Sequence, residues 1–80
     1  MNLQNKIDRD LCKRMKDIRL RAGLTQPEFA DQLFTTRVAI NAIENCRYNP
    51  GLEILRNLKD KYNLSYDYLI DGKESKGKKL

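Results

Sequence analysis

Cysteine and histidine, which serve as common nucleophiles, general bases and zinc ligands, are scarce in this 80-residue sequence. It contains Cys12 and Cys46 and no histidine. A structural zinc site usually takes four nitrogen or sulfur ligands, so this chain cannot build one alone. The commonest general base is missing, and no Gly-rich or Ser-centred catalytic motif is present. The sequence therefore predicts a protein that is not an enzyme and that uses no metal or other cofactor.

The two cysteines could form a disulfide or remain free thiols. No apolar run approaches the roughly 20 residues needed to cross a bilayer, and residues 1–6 lack the apolar stretch of a secretory signal. These features predict a cytoplasmic protein with no membrane association. Because that compartment is reducing, we expect two free thiols.

Positive charge is the other chemical feature of the chain. Sixteen Lys and Arg against eleven Asp and Glu give a formal charge of +5. Such an excess suits a polyanionic partner, although many basic proteins bind no nucleic acid. The length and the apolar and charged fractions are those of one globular domain. The placement of the charges on secondary structure must therefore decide the function.

Apolar periodicity predicts that the first helix follows Asp8, a fair N-cap, and ends at Gly23. Its inward stripe has helical spacing and consists of Leu11, Met15, Ile18 and Ala22. Residues 1–7 form either an arm or a backward extension of this helix. A second helix begins with a capping box, Thr25 and Glu28, and carries Pro27 in its first turn.

A third helix follows the second after a short turn, and Thr36 can cap it. Ile40 and Ile43 point inward from this helix. Two helices joined by so short a turn, each with an apolar stripe, match the helix-turn-helix unit. The interpretation therefore places a helix-turn-helix near the middle of the chain.

Two further helices follow a break at residues 49–51. The fourth helix carries an apolar stripe and ends at Asn63; the stripe consists of Leu52, Leu55, Leu58 and Tyr62. Ser65 caps a short fifth helix that ends at Gly72. The prediction is an all-α domain of five helices over residues 8–72, with a basic flexible tail at 73–80.

The sequence resembles the Cro and phage-repressor (Xre-type) helix-turn-helix family over roughly residues 12–72. Leu-Thr-Gln at 24–26, Ile-Glu-Asn at 43–45 and Asn-Pro at 49–50 carry the resemblance at a specific spacing. It continues through residues 18–23, 29–33 and 64–69. The resemblance implies a five-helix bundle of the phage-repressor DNA-binding type, with helices 2 and 3 as the helix-turn-helix. It also implies a transcriptional regulator, which we expect to be a repressor, on double-stranded DNA.

Three positions depart from the family pattern. Phe34 stands where the family usually has glycine, Thr35 where it has an apolar residue, and Cys46 where a glycine is common. A non-glycine residue in the left-handed conformation costs roughly 1–2 kcal/mol. Either the turn is rebuilt or Phe34 is strained. We expect strain, partly offset by packing of the Phe34 ring.

The resemblance implies that the third helix, about residues 36–45, reads DNA bases in the major groove. The positions that match base-contacting ones are Thr36, Arg37, Val38, Asn41 and Ala42. Arg37 could hold guanine O6 and N7 in bidentate fashion, and Val38 and Ala42 could contact thymine methyl groups. A phosphate contact or a solvated side chain remains the alternative for Arg37.

Phosphate contacts are expected from residues in and next to the helix-turn-helix: Gln26, Thr35, Asn45, Arg47 and Tyr48. Gln26 lies at the start of the second helix, where free backbone N–H groups and the helix dipole attract a phosphate. In the resembled family the glutamine at this position grips the DNA backbone. The alternative is a solvated polar residue.

The resemblance also implies a structural ion pair between Arg19 and Glu44, joining the first and third helices. The family often dimerises through its last helix, so Tyr66, Tyr68 and Ile70 are interface candidates, with packing inside one chain as the alternative. A twofold dimer would match a palindromic operator. A second possible function is that of an antitoxin or other interaction module that binds a partner protein and autoregulates its operon.

Overall fold

The computed structural model describes residues 6–73, and this part of the chain is all-helical. The bounds of its five helices are α1 Arg9–Arg21, α2 Gln26–Gln32, α3 Arg37–Glu44, α4 Leu52–Tyr62 and α5 Tyr66–Asp71. The predicted all-α fold with five helices is confirmed. Most of the predicted arm and of the predicted tail lies outside the described residues. Residues 6–8 are not helical, so α1 does not extend backward through Ile7.

Side-chain caps define where four of the helices begin. The Asp8 carboxylate accepts the backbone N–H of Leu11 at 3.0 Å, and the capping box of Thr25 and Glu28 is complete. Hydroxyl oxygens accept in the same way at Thr36, before α3, and at Ser65, before α5. Each cap satisfies a backbone donor that the helix itself cannot pair, which explains why sequence alone predicted these starts.

One apolar core is built by all five helices. Its fully buried side chains come from α1, the helix-turn-helix, α4 and α5: Cys12, Met15, Phe29, Leu33, Ile40, Ile43, Leu58 and Leu69. Burying a side chain of this size contributes roughly 1.5–3 kcal/mol each. Two predicted stripe residues, Ala22 and Leu52, are exposed instead. They lie at the outermost positions of their stripes, the C-cap of α1 and the first residue of α4, where the helix no longer faces the core.

The same C-terminal turn closes α1, α2 and α3. In this Schellman motif the two residues after the C-cap donate backbone hydrogen bonds back into the last turn, and the first of them is left-handed. Gly23 takes that position after α1, Phe34 after α2 and Cys46 after α3, with φ of 73°, 57° and 58°. The hydrogen bonds from Thr35 to Ala30 and from Phe34 to Asp31 define the turn after α2, at 2.9 and 3.3 Å.

Phe34 therefore adopts the conformation that glycine usually supplies, and the turn is not rebuilt. Its side chain is 84% exposed. The expectation that packing of the ring offsets the strain is wrong, because the left-handed turn directs the ring away from the core. Most of the Phe34 ring surface is open to solvent, so packing offsets little of the backbone strain at this position.

Candidate nucleic-acid interface

The third helix presents two very different faces. Ile40 and Ile43 are fully buried, whereas Thr36, Arg37 and Val38 on its first turn are exposed, Val38 by 67%. Arg37 takes part in none of the ion pairs formed within residues 6–73. The first turn of α3 thus carries a guanidinium and an apolar side chain that are open to a partner.

Ala42 corrects the predicted set of base-contacting residues. It is only 7% exposed, so it offers little surface to a base edge. The physical reason is that α3 contacts both α2 and α1, and a helix with two neighbours buries a wider stripe than a helix with one. The stripe on α3 accordingly includes Ala42 beside Ile40 and Ile43.

Arg19 of α1 and Glu44 of α3 form a bidentate ion pair. Arg19 Nε lies 2.7 Å from Glu44 Oε2, and Arg19 Nη2 lies 3.0 Å from Oε1. A further guanidinium nitrogen donates to the Leu24 carbonyl at 2.8 Å. The hydrogen bonds with Glu44 raise the pKa of Arg19, although burial opposes this. The pair, with side-chain exposures of 10% and 3%, fastens the last turn of α3 to α1.

Three amide side chains extend from this ion pair along the helix-turn-helix. Gln26 Nε2 donates to Glu44 Oε1 at 3.0 Å, Asn41 Nδ2 donates to Gln26 Oε1 at 3.2 Å, and Asn45 Nδ2 donates to Asn41 Oδ1 at 3.2 Å. Gln26 and Asn41, predicted to contact phosphate and base respectively, are half-buried and hydrogen-bonded to each other. The sequence analysis did not predict this series of hydrogen bonds, because its members come from two helices.

The loop after α3 brings Arg47 and Tyr48 to the surface, and both are exposed. The left-handed Cys46 turns the chain, and the Arg47 N–H donates to the Ala42 carbonyl at 2.9 Å. Asn49 ties the loop to the segment before α1: its Oδ1 accepts the Asp8 N–H at 2.7 Å and its Nδ2 donates to the Lys6 carbonyl at 3.0 Å. The loop is thereby fixed beside the end of α3. Thr35, in the turn before α3, is half-buried.

The predicted dimer residues on α5 are divided between surface and core. Tyr66 and Ile70 are exposed, and Tyr68 is half-buried against the core. Arg14 of α1, to which the sequence analysis assigned no role, caps α5. Its guanidinium donates to the carbonyls of Leu69 and Ile70 at 3.0 and 3.2 Å. Only the packing of α1 against α5 reveals this role.

The two cysteines are free thiols in the structure. Burial, together with the neighbouring Cys46, raises the pKa of Cys12 to about 11. The Cys12 thiol is therefore protonated at neutral pH and has little nucleophilic thiolate.

Among residues 6–73, no helix has the length and apolar character to span a membrane.

This fold, with an exposed first turn on α3 and an anchored last turn, defines a helix-turn-helix domain. A helix-turn-helix family model matches residues 15–69. The chain belongs to the helix-turn-helix family.

Two curated relatives and one solved structure extend the comparison. The chain is 38% identical over 69 residues to the HTH-type transcriptional regulator ImmR of Bacillus subtilis (strain 168), covering 86% of this chain and 54% of ImmR. It is 29% identical over 62 residues to the HTH-type transcriptional activator BcrR of Enterococcus faecalis, covering 78% of this chain and 30% of BcrR. The chain thus spans about half of the first relative and less than a third of the second.

The solved structure is that of the P22 c2 repressor protein in complex with a synthetic operator. Its TM-score is 0.71 at 25% identity, and the match covers 79% of this chain and 96% of that one. The predicted phage-repressor type of fold is confirmed by this similarity.

Proposed function

We propose that this protein binds double-stranded DNA sequence-specifically, with α3 in the major groove, and regulates transcription. The observation that carries the proposal is the asymmetry of α3. Its first turn exposes Arg37 and Val38, while Glu44 at its last turn is held by α1 and α2. A helix held in this way can enter a groove as a rigid body and present its N-terminal side chains to base edges.

Base recognition is assigned to the exposed part of α3. Arg37 has a free guanidinium that fits guanine O6 and N7, and Val38 can contact a thymine methyl group. Thr36 lies beside them at the N-cap. Asn41, one turn later, retains one amide N–H beyond its bond to Gln26, so it can add a single hydrogen bond to a base.

Phosphate contacts are assigned to the residues that surround α3, namely Gln26, Thr35, Asn45, Arg47 and Tyr48. Gln26 is the first residue of α2, where backbone N–H groups and the helix dipole favour an anion. Arg47 is exposed in a loop whose path is fixed by Asn49. Such contacts set the position of the protein on DNA and carry no sequence information themselves.

The mode of regulation that we propose is repression by a homodimer on a palindromic operator. Exposed apolar side chains on α5, Tyr66 and Ile70, supply part of the dimer contact, with Tyr68 supporting them from the core. Two recognition helices would then lie about 34 Å apart, one turn of DNA. A repressor–operator complex among the similar structures favours this mode, whereas BcrR is an activator. We further propose that residues 8–72 are the DNA-binding unit and that the protein is cytoplasmic and non-enzymatic.

The experiment is a titration of fluorescent duplex from the upstream region of the encoding gene, beside random duplex, at two salt concentrations. We expect the upstream duplex to bind about 10³-fold more tightly or better, with both affinities falling steeply as salt rises. Arg37→Ala should reduce this preference and retain weak, salt-sensitive binding.

The matched control is Arg56→Ala on α4, which removes the same charge from an exposed position outside the proposed interface. It should keep the preference for the upstream duplex. If the protein binds no duplex, and a selection from random DNA also yields no site, the DNA-binding proposal is wrong. The function would then be sought in a protein partner, as for an antitoxin.

A further inference from the structure

A chain of four hydrogen-bonded side chains joins the helix-turn-helix to the buried ion pair. We call Asn45, Asn41, Gln26 and Glu44, in that order, the amide chain. Each of the three amides donates from its nitrogen to the next member, over 3.2, 3.2 and 3.0 Å, and the Glu44 carboxylate accepts at the end. The amide chain begins at the C-cap of α3, crosses to the first residue of α2 and ends on the α3 carboxylate.

The direction of the amide chain is dictated by Glu44. Arg19 donates to both Glu44 oxygens, and an ionised carboxylate can only accept hydrogen bonds. Gln26 must therefore turn Nε2 toward Glu44. Its Oε1 then faces Asn41, which must donate. The oxygen of Asn41 is left to accept from Asn45.

This direction has a consequence for DNA binding. The Gln26 Nε2 has two N–H groups and gives one to Glu44, which leaves the other free. The Gln26 oxygen, which would repel a phosphate, is occupied by Asn41. Gln26 lies at the N-terminus of a helix, where the backbone already favours an anion. A phosphate oxygen only accepts hydrogen bonds, so the orientation in which Gln26 presents its free N–H is the one that can bind a phosphate.

We propose that Glu44 is a positioning residue for DNA binding, which acts through Gln26 by fixing its amide with an N–H toward the DNA phosphate. This inference rests on the proposed function. It assigns to Glu44 a second role besides joining α1 to α3. It also gives an acidic residue a favourable part in binding a polyanion, whereas its charge alone would weaken that binding.

The test is a double-mutant cycle on DNA affinity with Gln26→Ala and a pair-replaced variant, Arg19→Met with Glu44→Leu. The pair-replaced variant removes the acceptor without changing the net charge, and it leaves no buried charge unpaired. Gln26→Ala should bind operator and random duplex about tenfold more weakly, as expected for one hydrogen bond to a charged group. The pair-replaced variant should lose about fivefold, because an amide that is no longer held must be ordered on binding.

The decisive protein combines both changes. If Glu44 acts through Gln26, the combination binds no more weakly than Gln26→Ala alone. If the two losses multiply, or if the pair-replaced variant loses its preference for operator over random duplex, Glu44 acts by holding the angle of α3 and the proposal is overturned. If the pair-replaced variant does not fold, Arg19→Leu with Glu44→Met replaces it in the same cycle with the same criterion, because it also removes the acceptor without changing the net charge.

Nuclear magnetic resonance of the free protein provides a readout that does not depend on DNA. The Gln26 side-chain amide should exchange slowly with water in the wild type and faster in the pair-replaced variant. Asn57, whose amide donates to the Leu33 carbonyl at 3.1 Å, is the control and should not change. If the exchange rate of the Gln26 amide is the same in the pair-replaced variant as in the wild type, the positioning role is wrong. If the wild-type protein binds no DNA, the proposed function is wrong. If the wild type binds DNA and the losses of the variants are additive, only the positioning role of Glu44 is wrong.

Discussion

The first and last turns of α3 differ in what surrounds them. The first turn has its Thr36 cap and otherwise points Arg37 and Val38 outward. The last turn ends in Glu44, whose side chain is 3% exposed and accepts hydrogen bonds from α1 and α2. One end of the helix is thus held by three-dimensional packing, and the other is open to a partner. We therefore expect substitutions at the last turn to change mainly stability, and substitutions at the first turn to change mainly DNA binding.

The physical basis of this separation is the cost of burying charge. A buried ion pair contributes little net stability because desolvation offsets the attraction, but removing one partner leaves the other charge uncompensated. Exposed side chains have water as an alternative partner, and their replacement usually changes stability by less than about 0.5 kcal/mol. The anchored end is therefore sensitive to single substitutions, and the open end, which we propose reads DNA bases, tolerates them.

The largest expected effect on stability comes from breaking the anchored end. Arg19→Ala should lower the free energy of unfolding by about 3–5 kcal/mol, because Glu44 stays buried without its cation. Replacing both partners by Met and Leu should cost less than the single change. Urea denaturation of the wild type, the two single variants and the pair-replaced variant measures this. Additive losses would mean that the two side chains are not energetically coupled.

A smaller effect of opposite sign is expected at the turns that flank α3. Phe34→Gly should raise the free energy of unfolding by about 1 kcal/mol, because glycine adopts positive φ without strain. Cys46→Gly should raise it less, because the Cys46 side chain packs against the core and that contact is lost. A change of about 1 kcal/mol corresponds to a rise of roughly 4–8 °C in the melting temperature of so small a domain. Thermal unfolding followed by circular dichroism measures it.

Gly23→Ala is the matched control for those turns, since Gly23 closes α1 with the same motif at φ 73° and an added Cβ would meet no atom within 4 Å. It should lower the melting temperature by a similar amount. A lower melting temperature for Phe34→Gly would mean that the exposed ring stabilises the fold in spite of its backbone.

The smallest effect on stability is expected at the open end. Val38→Ala should change the free energy of unfolding by less than about 0.5 kcal/mol, because Val38 is 67% exposed. The same variant should shift the base preference of the protein at one position of its site. Urea denaturation and competition between duplexes that differ in one base pair measure the two quantities. A large loss of stability would contradict the division between the two ends.

Local features of the fold could be predicted from the sequence, because they depend on residues a few positions apart. The caps at Asp8, Thr25, Thr36 and Ser65 and the left-handed Asn63 follow from local hydrogen bonding and backbone sterics. The apolar stripes indicated the first four helices and the Ser65 cap the fifth, and the two stripe residues that are exposed, Ala22 and Leu52, lie at the margins of their helices. The pairing of Arg19 with Glu44 came from the family resemblance, since no local rule joins residues 25 positions apart.

Features that depend on which helices touch were not predicted. The sequence analysis assigned no partner to Arg14 or Asn49, yet Arg14 caps α5 and Asn49 fixes the loop after α3. Ala42 was predicted to face DNA and is buried, because α3 packs against two helices rather than one. Long polar side chains can reach several acceptors, so spacing along the chain does not select one.

The sequence by itself thus determined the number and approximate ends of the helices, the helix-turn-helix and the excess of positive charge, all of which arise from short-range periodicity and composition. The tertiary structure decided which face of α3 is open and which polar groups meet beneath it. The direction of the amide chain depends on a carboxylate from α3 that has a guanidinium from α1 and an amide from α2 each within 3.0 Å of it. Only the packing of three helices brings those groups together, and a carboxylate that can only accept then fixes the orientation of the others.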